Sequence, residues 1–290
     1  MKQSNLREKQ RQLSHNKRVN YLIGGLIGLI FVLSLFTNGT NVSNSNDIQA
    51  LAPTAIGISA PDSNWASPNG RWDFSWNSSW TTAAKIQNMS AALDLAYTFL
   101  ITDWDLPNPL TPTSYEPPIE VSIPEIAGYN GKASSSATDS RFNLIYYPKF
   151  INHDVLSRQP LQVGEHELLH LCQYRAPGDT PAKWVLEGQA RMSEDKLNDW
   201  LDHADVTDGV SGTYLAECNG YLTGSHVNDL TSITYPACMF WNYVCEQFGT
   251  DKIDPDYGFD IIRDFWSSAV NPSGTDGITM FNNLMTFRGT

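Results

Sequence analysis

From Thr82 to Ile101 apolar residues recur at helical spacing. Ala84, Ile86, Met89, Ala92, Leu93, Ala96, Phe99 and Leu100 fall on one face. Pro107, Pro109 and Pro112 stop any continuation. Ile119 to Ile123 and Arg141 to Tyr147 read as strands, with a Gly/Ser-rich connection between them. Pro160 opens a helical pattern that runs to about Gln173. Further helices fit 182–199, 236–248 and 260–268. No internal repeat interrupts this order. A few strands followed by many helices predict an α+β body.

One segment has no polar face. Tyr21 to Phe36 is a run of apolar and small residues without a charge, with Lys17 and Arg18 just before it. The basic side of such a segment stays in the cytoplasm. The pattern predicts either a retained membrane anchor or a cleaved signal peptide, and both place the body outside the cytoplasm. The expected organisation is a basic tail over 1–18, an anchor or signal over 19–36, a polar linker over 37–60 and a folded domain over 61–290. That domain reads as an α+β part to about residue 175 and a helical part beyond it. Composition agrees. Apolar residues make up 41% of the chain, enough for a substantial core. The net charge is −12, although the first 36 residues hold six Lys/Arg against Glu8 alone. The body is therefore strongly acidic and repels phosphate backbones, which excludes nucleic acid as the expected partner.

Cys172, Cys218, Cys238 and Cys245 are the only cysteines, all in the second half. An even count outside the cytoplasm predicts two disulfides. Cys238 and Cys245 share a predicted helix, too far apart to pair. The expected pairings are Cys172–Cys245 with Cys218–Cys238, or Cys172–Cys238 with Cys218–Cys245. No C-x-x-C pair exists, so a cysteine zinc site is not expected.

The chemistry concentrates at His166-Glu167-Leu168-Leu169-His170, an H-E-x-x-H inside an apolar helical run. Residues four apart share a helix face, so both imidazoles can converge on one metal ion. Glu167 is placed to reach a metal-bound water rather than the metal. A catalytic zinc needs a third protein ligand and an open position. Glu187, in Trp184-Val185-Leu186-Glu187-Gly188-Gln189-Ala190, lies seventeen residues after His170, enough for a turn and an antiparallel return helix. Small Gly188 and Ala190 favour close helix approach. His153, His203 and His226 are rival ligands. Glu194, two turns beyond Glu187, is a candidate for orienting a ligand from behind.

These motifs resemble the gluzincin metallopeptidases, the thermolysin and aminopeptidase N superclass. The match covers His166 to Gln173 as H-E-x-x-H-x-x-Q and Trp184 to Ala190 as W-x-x-E-G-x-A, followed by Glu194-Asp195 and the Tyr235 to Tyr243 segment. In that form it is similar to exported bacterial metalloproteases. Arg191-Met192 and the crowded cysteines depart from the pattern. The resemblance implies one catalytic zinc held by His166, His170 and Glu187, with Glu167 as general base and proton donor. It implies peptide or protein substrates and an endopeptidase. An aminopeptidase or oligopeptidase of the same superclass, or a zinc-bearing surface module without turnover, are the alternatives. It also places a tyrosine at Tyr235, where Pro236 suits a first helical position and leaves Tyr235 at the cap. A phenol there can stabilise an oxyanion, with Tyr214, Tyr221 and Tyr243 as rivals. An edge strand near Arg141–Tyr147 is expected to pair with the substrate backbone.

Overall fold

The computed structural model describes residues 60–111, 117–124, 131–135, 141–146, 158–176, 181–200, 219, 221–223, 229–250, 258–267, 270 and 276–289. The chain divides into two compact units, Met1–Thr54 and Ala55–Thr290, and all described residues belong to the second. Tyr21–Phe36, Cys218, Tyr214, His153, His203 and His226 lie outside the described residues. Among the described residues no helix is long and apolar enough to cross a membrane.

Two strands that the periodicity does not reveal, β1 (Ser63–Ala66) and β2 (Trp72–Trp76), form an antiparallel pair at one side of a five-stranded sheet. Helix α1 (Ala83–Tyr97) follows, capped by the Thr82 hydroxyl, which accepts from the Lys85 amide. Its last turn widens into a π-helical segment over Thr98–Asp103. Strands β3 (Ile119–Ile123), β4 (Gly131–Ser135) and β5 (Phe142–Tyr146) complete the sheet in the order β1-β2-β3-β5-β4. The centre is parallel and both margins are antiparallel.

Alternation sets the faces. Trp72, Phe74 and Trp76 of β2, Ile119, Val121 and Ile123 of β3, and Phe142, Leu144 and Tyr146 of β5 are buried. The residues between them are half-exposed. The apolar stripe of α1, including Ile86, Met89 and Leu93, packs against the long helix α2 (Arg158–Arg175), which also lies against β4. The mixed sheet and helices bear out the α+β expectation. The substrate-strand expectation needs correcting. β5 is paired on both sides, to β3 and to β4, so it has no free edge to offer. The margin next to α2 is β4, within the segment read from sequence as a connection.

Helix α3 (Lys183–Trp200) returns along α2. Short 3₁₀ turns at Leu230–Ser232 and Tyr235–Ala237 lead into α4 (Cys238–Phe248), followed by α5 (Asp260–Phe265) and α6 (Gly277–Phe287). An aromatic cluster joins these helices. Trp184 of α3 stacks on Trp241 of α4, with ring centroids 5.5 Å apart and planes 12° apart. Trp241 meets Phe265 and Phe281 edge-on, and its indole N–H donates to the Trp184 carbonyl at 3.1 Å. Truncating such a buried Trp to Ala costs roughly 3–5 kcal/mol.

The expected disulfides are not formed at the described positions. Cys172, Cys238 and Cys245 are buried thiols, so neither Cys172–Cys245 nor Cys172–Cys238 is bridged. Burial pushes the Cys172 thiol far up and Cys245 up to about 12, which keeps both neutral. They pack as small apolar side chains within the helical core.

Candidate metal centre

Each site residue is placed by a helical repeat. On α2, His166, His170 and Gln173 fall four and three residues apart, on one face. On α3, Glu187, Arg191 and Glu194 do the same. Because α3 runs back along α2, the two stripes face each other. His166, His170 and Glu187 thereby offer one ligand atom each within 4.8 Å of one another. Glu187 Oε2 lies 3.3 Å from His166 Nε2 and 3.5 Å from His170 Nε2. The imidazoles meet edge-on, with centroids 4.8 Å apart.

The donor set fits a metal ion. Glu187 Oε2 is buried and makes no hydrogen bond. An anionic oxygen in that position is costly unless a cation sits beside it. A tetrahedral ion with bonds of about 2.1 Å separates its ligands by about 3.4 Å, close to the two spacings seen. The local field also favours positive charge. Burial disfavours the charged form of His166, but the flanking Glu187 and Glu194 carboxylates outweigh it and push the imidazole up to about 10. Burial likewise works against ionised Glu187, and the two histidines more than offset it, holding the carboxyl far below its ordinary range.

Behind the ligands stand two orienting groups. His166 Nδ1 is 2.7 Å from Glu194 Oε1, and Arg191 donates to Glu194 Oε2 at 2.7 Å. Glu194 thus lies two turns beyond Glu187 and within hydrogen-bond distance of the candidate ligand His166. Arg191, a departure in the motif, anchors it. His170 Nδ1 is 2.7 Å from Gln173 Oε1. Gln173 stood in the motif without an assigned role; its three-residue offset from His170 on one helix face is the signal that could have found this contact.

Glu167 lies against β4, with its carboxyl within electrostatic reach of His166, His170 and Glu187. The Ala133 amide donates to it, and burial raises its pKa above the ordinary carboxylate range. That direction suits a general base working near neutral pH. Contact is tight. A Cβ on Gly131 would lie 2.8 Å from Glu167 Cγ, 3.0 Å from its Oε1 and 2.9 Å from Val163 Cγ1. Only a glycine lets β4 come this close. Nothing in the local sequence announces the contact.

Tyr235 stands beside His166, with ring centroids 5.9 Å apart, and the Arg191 guanidinium lies 5.1 Å from its ring centroid. The residue is 38% exposed, so it lies at the surface beside the cluster rather than in the core. Burial of the phenol raises its pKa, and the Glu187 carboxylate adds to the rise. Tyr235 is the first residue of a 3₁₀ turn capped by Thr234, one position inside the cap expected from sequence, with Pro236 next. Gly188 makes room for that turn. A Cβ there would lie 2.8 Å from Ala237 Cβ and 2.9 Å from Trp241 Cδ1. Its small size serves this contact rather than the approach of α3 to α2. The rival Tyr221 lies beside Cys238, and Tyr243 sits half-buried within α4. Tyr174, one turn past His170, stacks on that ring at 6.1 Å and 16°. A depression of about 560 Å³ at β1, lined by Asp62, Trp65 and Trp76, contains none of these residues.

No protein-family model matches the chain, and no curated protein matches its sequence.

Proposed function

We propose that the protein is a zinc-dependent metallopeptidase of gluzincin type, acting as an endopeptidase outside the cytoplasm. The observation that carries this reading is the cluster of His166, His170 and Glu187, with the Glu187 oxygen shared between two imidazole nitrogens. Glu167 is held beside it on the same helix. Two imidazoles and one carboxylate form the three-ligand set of hydrolytic zinc sites, with one coordination position left open. His166, His170 and Glu187 would hold the zinc, which would supply Lewis-acid polarisation of the scissile carbonyl and a nucleophilic water at neutral pH.

The chain's own residues account for the rest. Glu167 takes a proton from the attacking water as oxygen adds to the carbonyl carbon. It passes that proton to the amine as the C–N bond breaks. Tyr235 donates its hydroxyl to the oxyanion that develops on the carbonyl. Glu194 and Gln173 hold the ligand imidazoles in orientation. Strand β4 stands last in the sheet order, which supports it as the strand that pairs with an extended substrate peptide. The apolar segment Tyr21–Phe36 supports placement outside the cytoplasm.

The test is zinc analysis of the purified full-length chain together with a peptide-library digest, with and without chelator. About one zinc per chain and chelator-sensitive cleavage are expected. Glu167→Gln should keep the metal and lose cleavage. A zinc-loaded wild type that cleaves no peptide, or a fully active Glu167→Gln, would overturn the peptidase reading.

A further inference from the structure

We infer that Gln189 and Trp266 are positioning residues for the metal ligand His170, acting on it through Gln173. The inference rests on the metal reading above and extends it to a helix end far from the cluster in sequence. It follows from which groups can donate and which can only accept.

His170 Nδ1 lies 2.7 Å from Gln173 Oε1. By itself this contact leaves the ring undecided, because an amide presents either its oxygen or its nitrogen with little change of shape. The other end of Gln173 decides. Gln173 Nε2 lies 3.3 Å from the Leu186 carbonyl oxygen and 3.3 Å from Gln189 Oε1. A carbonyl only accepts, so Gln173 turns its NH₂ towards α3 and its oxygen towards His170. Gln189 is settled in turn by Trp266, whose indole N–H lies 2.7 Å from Gln189 Oε1 and can only donate. A flipped Gln189 would set its NH₂ against two donors.

The chain of hydrogen bonds therefore has one polarity from end to end. Trp266 donates to Gln189, Gln173 donates to Gln189 and Leu186, and His170 donates from Nδ1 to Gln173. The lone pair of His170 is left on Nε2, the atom facing Glu187. A metal ligand needs that tautomer.

A second observation shows that the arrangement outweighs a local cost. Gln189 Nε2 is buried and makes no hydrogen bond. The amide leaves one of its ends unsatisfied so that its oxygen serves Trp266 and Gln173 together. Gln173, Gln189 and Trp266 are all buried, so water does not replace a lost member. Trp241 supplies the contrast. Its indole N–H donates to the Trp184 carbonyl, it is equally buried, and it has no link to His170.

The experiment measures zinc affinity of the full-length chain by competition with a chromogenic chelator. Gln189→Met and Trp266→Phe test the relay, and Trp241→Phe is the control. Gln189→Met should weaken zinc binding by about tenfold, the scale of lost outer-shell support. Trp266→Phe, one bond further out, should weaken it by about threefold. Trp241→Phe should leave it within error while lowering the unfolding midpoint. Folded Gln189→Met and Trp266→Phe proteins with wild-type affinity would overturn the inference and leave the metal reading standing. Equal weakening in Trp241→Phe would also overturn it, since packing alone would then be the cause. If Gln189→Met does not fold, Trp266→Phe against Trp241→Phe decides the matter. A wild type that takes up no zinc would remove the metal reading and this inference with it.

Discussion

On the sheet side of the cluster, Glu167 is held by contact: Gly131 touches its stem and the Ala133 amide meets its carboxylate. On the helical side the holding groups are mostly charged. Glu187 faces two imidazoles, Glu194 backs His166, Arg191 anchors Glu194, and Tyr235 lies against both Arg191 and His166. The two regions should therefore fail differently. A contact fails when a single carbon is added and is indifferent to salt. A network of charges tolerates small changes of shape and fails when a charge or a donor is removed. The same contrast extends away from the site. The ion pairs near the sheet, Arg141 with Asp73 and Glu120, are a third or more exposed and contribute little. Arg288, which binds Asp260 and Asp264 among the C-terminal helices, is 10% exposed.

The largest effect is expected on the helical side. Tyr235→Phe should lower kcat by up to about a thousandfold with little change in KM, as for loss of one oxyanion donor. Wild-type kcat in the zinc-loaded variant would remove Tyr235 from the chemistry. Next comes the sheet side. Gly131→Ala should push Glu167 aside and lower kcat by about a hundredfold, the scale of a misplacement near 1 Å, while zinc content stays at the wild-type level. The Gly131→Ala change should add nothing in a Glu167→Gln background. An additive loss there would show that Gly131 acts on something other than the base.

Glu194→Gln should weaken zinc by about tenfold to a hundredfold, read by chelator competition, with kcat at saturating zinc affected less. If zinc affinity is unchanged, charge behind His166 is not what holds the helical side. Asp260→Asn should lower stability by about 2–3 kcal/mol, the scale of hydrogen bonds to a charged group. Burial works against the Asp260 charge, but Thr250 and Arg288 outweigh it and hold its carboxyl below the ordinary range. The folded state thus favours the ionised form. The stabilisation is present above about pH 4 and is lost as pH falls through the lowered folded value. Urea unfolding at pH 7 and pH 3 should show the wild-type advantage over Asp260→Asn shrinking in acid. An advantage that is constant with pH would assign it to packing.

The smallest effect concerns Glu165, buried on α2. Burial lifts its carboxyl well above the usual range, and the neighbouring Ser193 hydroxyl offsets only part of that rise. A neutral acid there has an amide as a near substitute, so Glu165→Gln should change stability by no more than about 1 kcal/mol. A loss several times larger, measured by urea unfolding, would mean that the residue is ionised and paired. Together with Glu194→Gln this separates two carboxylates on the helical side by whether they carry charge.

How far the site could be read in advance follows the same division. His166, Glu167 and His170 were legible because four-residue spacing on a helix is a property of the chain itself. Glu187 and Glu194 were legible because α3 keeps its own repeat, and a helix that returns along α2 turns that repeat towards it. Strand β3 was found with its observed bounds, since Ile119, Val121 and Ile123 alternate cleanly. Strand β4 was not. Gly131 to Ser135 is small and polar, with weak strand preference, and becomes a strand by pairing with β5. β1 and β2 were missed in a stretch whose tryptophans carry the alternation over only a few residues.

Periodicity alone placed most of the helices, their polar stripes and the candidate ligands His166, His170 and Glu187, because it needs no knowledge of distant neighbours; helix α6 was missed. Only the tertiary structure decided that Gly131 would meet Glu167 and that Trp266 would reach Gln189, 77 residues away. It also decided that Cys172 and Cys245 would be buried thiols within the helical core. Those outcomes depend on how helices and strands rotate and slide against one another. That is set by the filling of the whole core and not by any local run of residues.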